Sequence, residues 1–83
     1  MDKLEYELVT LKNGKQYFVL EDVLYQYDTF ALLLNVEDES DLRIVLQEIK
    51  NGKTVLTPVK DKNTLSSLST LFEERIKVKQ QNI

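Results

Sequence analysis

A chain of 83 residues, 42% hydrophobic and 30% charged, has enough apolar content for one folded domain over residues 1–83 and too much to stay disordered throughout. Without cysteine or histidine it lacks disulfides, thiolate metal sites, the thiol nucleophile and the commonest general base. A net charge of -3 disfavours nucleic acid, and an apolar run of only residues 30–34 cannot span a membrane, so a cytoplasmic protein without membrane contact is expected.

At the N-terminus, Leu4, Tyr6 and Leu8 alternate with Glu5 and Glu7, which predicts a strand over residues 4–11. Asn13-Gly14 follows, and because both residues tolerate positive φ the pair predicts a tight turn into a second strand over residues 16–25. Glu21 and Asp22 are adjacent in that strand, so they point to opposite faces and cannot form an acid–base pair unless a bulge intervenes. Polar residues 26–28 turn the chain again, and the apolar residues 29–36 predict a third strand.

Glu37, Asp38, Glu39 and Asp41 then form an acidic loop. Such carboxylates could hold a divalent cation or imitate the phosphates a partner binds, although a solvated loop explains the same residues and no calcium-loop pattern is present. Residues 42–50 fit two periods. Leu42, Val45, Leu46 and Ile49 have helical spacing, with Ser40 as cap and Gly52 just past the end, whereas Leu42, Ile44 and Leu46 alternate as in a strand. The strand is preferred, because a helix leaves Ile44 on its polar side and because Asn51-Gly52 leads into the β-prone residues 53–60. Pro58 has no amide hydrogen, so its strand belongs at a sheet edge. Asp61 or Asn63 can cap a final helix over residues 62–79, whose Leu65, Leu68, Leu71, Phe72 and Ile76 share one face. Lys77 and Lys79 suit its C-terminal dipole, and residues 80–83 are predicted to fray. The predicted fold class is therefore α+β, an antiparallel β-meander of four to five strands over residues 4–60 with one C-terminal amphipathic helix packed on one face.

Motifs of catalysis are sparse. Gly52-Lys53-Thr54 copies the end of a phosphate-binding loop, but Gln47 stands where that loop needs a glycine. Tyr6, Tyr17, Tyr25 and Tyr27 could stack nucleobases, yet only Lys12 and Lys15 accompany them, and cross-strand packing accounts for them more simply. No catalytic residue, cofactor or metal is assigned.

The run Leu11-Lys12-Asn13-Gly14-Lys15-Gln16-Tyr17-Phe18-Val19-Leu20, the strand ending in Asn35-Val36-Glu37-Asp38, and Pro58-Val59 before a leucine-rich helix together resemble the domain-of-unknown-function family 1292 of low-GC Gram-positive bacteria and their phages. The resemblance spans nearly the whole chain and rests on turn and core positions. It implies a β-meander with a terminal helix, supports the strand over residues 42–50, and implies no activity.

These residues predict a non-enzymatic protein-interaction module whose partner is unknown. The alternative is a phage or mobile-element inhibitor that blocks a host enzyme of nucleic-acid processing or defence through Glu37, Asp38, Glu39 and Asp41. Self-association is also expected. Phe30, Leu32 and Leu34 point one way while Ala31 and Leu33 point the other, and Tyr17 and Val19 against Phe18 and Leu20 repeat the pattern on the neighbouring strand, so both sheet faces are apolar. The helix covers one face. The other must be closed by the sheet curling into a small barrel, by residues 42–49 folding across it, or by a second copy. The second copy is preferred, giving a homodimer through Phe18, Leu20, Ala31 and Leu33.

Overall fold

The computed structural model describes residues 6–81, with side chains through Val78, so Leu4, the side chain of Lys79 and residues 82–83 lie outside the described residues. The elements are β1 (Glu7–Thr10), β2 (Gln16–Tyr25), β3 (Asp28–Asn35), β4 (Leu42–Lys50), β5 (Lys53–Pro58) and α1 (Lys62–Gln81). Each strand pairs antiparallel with its neighbours in sequence, giving the order β1-β2-β3-β4-β5. The fold is thus α+β, residues 42–50 form a strand, and Pro58 lies on an edge strand. No helix among the described residues is long and apolar enough to cross a membrane.

The turns follow local chemistry, though not uniformly. Asn51 and Gly52 have φ of 52° and 77° and make the two-residue turn between the paired Lys50 and Lys53. The expected tight turn at Asn13-Gly14 is instead a three-residue loop. Gly14 N donates to Leu11 O at 2.9 Å, Leu11 N donates to Lys15 O at 3.0 Å, and only Gly14, at φ 81°, takes the left-handed conformation. Gln26 (φ 50°) and Tyr27 (φ 72°) close the β2–β3 turn with no glycine, a conformation that side chains disfavour.

A bulge divides β2. Phe18 pairs with Leu34 and Val19 with Leu33, but the next pair is Glu21 with Leu32, so Leu20 is the extra residue. Side-chain parity therefore changes there, and Val23 and Tyr25 join Phe18 and Leu20 on the helix side while Asp22 and Leu24 turn away. Glu21 and Asp22 still oppose different neighbours, Leu32 and Ala31, and remain on opposite faces.

Helix α1 is capped by Asp61, whose Oδ2 accepts bonds from Thr64 N (2.9 Å) and Thr64 Oγ1 (2.7 Å). Its Leu68 and Phe72 are buried against Val23, Phe30 and Leu32, with Leu71, Ile76, Ile44 and Leu46 around them. Burying each large apolar side chain contributes about 1.5–3 kcal/mol.

The opposite face is closed by curvature. The sheet curls so that Val9 and Leu11, from the start of the meander, and Leu56, from its end, pack on Tyr17, Ala31, Leu33 and Val45, all of which are 0% exposed. This corrects the expected dimer face. Ala31 and Leu33 are enclosed within one chain, whereas Phe18 and Leu20 lie on the helix side, so the four residues do not form one surface. The twist that accumulates over five strands supplies the closure assigned above to a second copy.

Candidate interaction surface

Two features of the curled sheet have the geometry of sites. The first is the acidic loop. Asp41 sits at its end, just before β4, and its carboxylate collects three donors: Tyr17 Oη at 2.7 Å and Asn35 Nδ2 at 3.0 Å on Oδ2, and Arg43 Nε at 2.9 Å on Oδ1. Arg43 also lies over the Tyr17 ring, 5.4 Å from its centre, and Asn13 Nδ2 donates to Tyr17 Oη at 3.3 Å. The bonds from Asn35, then Arg43, then Tyr17 hold the Asp41 carboxyl far below the usual carboxylate range.

The backbone completes this clasp. Asn35 N donates to Asp41 O at 3.0 Å, Asp41 N donates to Asp38 O at 3.0 Å, and Glu37 N donates to Asn35 Oδ1 at 2.8 Å. Asp38, exposed on the loop, accepts from Ser40 Oγ (2.7 Å) and Ser40 N (3.0 Å), which lowers its carboxyl from the ordinary value. The four predicted partner-binding carboxylates therefore separate. Asp41 is committed to holding the loop, Asp38 is half engaged, and Glu37 and Glu39 project into solvent. Among the described residues, no group of three or more acidic side chains converges as a metal site. The tyrosines are likewise dispersed: Tyr17 is buried, Tyr25 meets Phe30 edge-on at 6.3 Å, Tyr6 lies 6.0 Å from Phe18, and Tyr27 is 99% exposed at a turn.

The second feature is the seam where the curled sheet stops short of closing. The two edge strands flank a groove of about 460 Å³ lined by Val9, Leu11, Thr54, Val55 and Leu56, with Glu7 and Lys12 along the β1 side. It continues into a smaller hollow of about 150 Å³ bounded by Lys12, Arg43 and Pro58. Among the described residues no hydrogen bond joins β1 to β5.

Register identifies which backbone groups face this seam. Residues at a non-hydrogen-bonded antiparallel position turn their N–H and C=O away from the partner strand. The two-residue turn makes Lys50 and Lys53 a bonded pair, so Thr54, Leu56 and Pro58 face outward, in agreement with the bond from Val59 N to Ile44 O at 3.1 Å. On β1, the bond from Leu11 to Lys15 makes Thr10 and Leu8 the outward residues. Pro58 thus places its missing N–H on the open edge, where it costs no ladder bond.

Sequence reasoning missed the Asp41 clasp and the seam. The first left one signal, since Asp41 and Arg43 at i and i+2 share a face of an extended chain. The second left no local signal, although an odd number of meander strands makes the two edges run the same way. Comparison with family models, with curated proteins and with solved structures returned no match to this chain.

Proposed function

We propose that this protein is a non-enzymatic interaction module of the cytoplasm that binds a partner protein along the β1–β5 seam. The observation that carries this reading is the pair of open strand edges flanking an apolar wall, since unpaired edges are what natural sheets cover, charge or use for binding. The missing His and Cys side chains support a role without catalysis. A photo-crosslinking residue placed at Thr54 should join the partner in cells of the native host, while the same residue at the exposed Ser66 of α1 should not. Equal labelling from both positions, or none from either, would reject the seam as the binding surface.

A second reading, the inhibitor acting through the acidic loop, is favoured by the Asp41 clasp, which presents Glu37 and Glu39 on a braced turn. Glu37→Lys with Glu39→Lys should then abolish target binding and remove its steep salt dependence, whereas seam binding should tolerate both changes.

A further inference from the structure

Five strands in a meander leave the two edges running the same way, since β1, β3 and β5 share one direction. Joining β1 directly to β5 would be the sheet's only parallel pairing. One added strand of opposite direction would instead pair antiparallel with both edges and complete an all-antiparallel six-stranded barrel. The outward N–H and C=O groups of Leu8 and Thr10 on one side, and of Thr54 and Leu56 on the other, are placed for such a strand.

We propose that the seam accepts one extended peptide segment of a partner protein, inserted antiparallel to β1 and β5, apolar at alternate positions and acidic at its N-terminal end. This deepens the seam reading above and rests on it. Alternation follows from the groove floor, because every second side chain of the inserted strand would face Val9, Leu11 and Leu56 over the enclosed residues Tyr17, Leu33 and Val45. Polarity follows from charge. β1 and β5 both run from the end marked by Glu7 and Thr54 to the end marked by Lys12, Arg43 and Pro58. An antiparallel segment enters at the second end, where its first residues meet Lys12 and the part-exposed guanidinium of Arg43, and leaves beside Glu7. Pro58 has no amide to offer on the open edge, so the last N–H that β5 can donate to an inserted strand is that of Leu56.

The test uses the full chain and the synthetic peptide Asp-Asp-Val-Thr-Val-Thr-Val-Lys at millimolar concentration, read by amide hydrogen exchange. Exchange at Leu8, Thr10, Thr54 and Leu56 should slow at least about tenfold, and the peptide of reversed order, which is basic first, should bind about tenfold more weakly. Thr10→Pro and Thr54→Pro each remove one outward N–H from an exposed residue without touching the existing ladders, so each should weaken binding while keeping the parent amide spectrum elsewhere. No slowing at the four amides, or equal binding of the reversed peptide, overturns the proposal. So does slowing of the same amides without peptide together with a sedimenting mass of two chains, which identifies the occupant as a second copy. Failure of the broader reading looks different. If crosslinking at Thr54 still captures a host partner that both proline variants bind normally, the seam remains the binding surface and strand insertion alone is refuted.

Discussion

Replacing Leu33 with alanine separates a self-closed sheet from one closed by dimerisation. Leu33 is 0% exposed and packs with Tyr17, Ala31 and Val45 beneath Val9, Leu11 and Leu56, all within one chain. The substitution removes three carbons from this site, about 2.4 kcal/mol at ~0.8 kcal/mol each, and an unfilled cavity raises the loss toward the upper part of the ~2–5 kcal/mol range for buried leucines. A domain of this size has roughly 4–12 kcal/mol of stability to lose, so the variant should stay folded with a much lower urea midpoint. The assay is urea unfolding followed by circular dichroism at two protein concentrations about a hundredfold apart, where a self-closed chain gives concentration-independent midpoints for parent and variant alike. A loss under about 1 kcal/mol, or midpoints that rise with concentration, would refute closure by curvature.

Three further outcomes follow from the same geometry. The carboxyl of Asp41 is depressed in the folded state, so its contribution is complete above the unfolded carboxylate value near 4 and is lost as pH falls through the folded value; urea midpoints should drop on acidification below about pH 4, and Asp41→Asn should be less stable at neutral pH with a flatter acid limb. Gln26→Asn with Tyr27→Gly relieves two strained side-chain conformations at an exposed turn and should stabilise by roughly 1–2 kcal/mol, raising Tm by about 4–8 °C per kcal/mol in thermal melts; an unchanged Tm would mean the turn holds no strain. Gly52→Ala meets no atom within 4 Å, so a loss of roughly 1–2 kcal/mol in the same melts measures backbone strain alone, and no loss would contradict the φ of 77°.

Much of the architecture was legible because its signals are local. The bounds of β2 and β4, the Asn51-Gly52 turn and the apolar face of α1 follow from alternation, turn chemistry and helical spacing over stretches of ten to twenty residues. What escaped depends on distant parts of the chain. Closure over Ala31 and Leu33 requires residues 9 and 56 to reach the same core from opposite ends of the meander, an outcome of twist summed across five strands that no window of sequence contains. The Leu20 bulge left only a change of parity, from Phe18 and Leu20 to Val23 and Tyr25, which apolar residues on both faces conceal. The acidic loop looked like uniform surface charge because the partners of Asp41 include Tyr17 and Asn35, and their proximity is set by strand register.

The strict neighbour-to-neighbour order of the sheet also governs how the chain reaches and leaves its native state. Among the described residues no crossover must be threaded and every ladder is a hairpin between consecutive strands, so the cost of closing long loops is small and assembly can spread outward from β2–β3–β4 at the rapid end of the range for β-rich domains. The reverse path has a natural weak point. β1 holds β2 through four residue pairs, whereas β2 and β3 share eight, so the opening that needs least free energy is the departure of β1. That excursion uncovers Tyr17 and Leu33 while the other strands and α1 stay assembled, which makes the earliest rupture of the curled sheet a widening of its own seam.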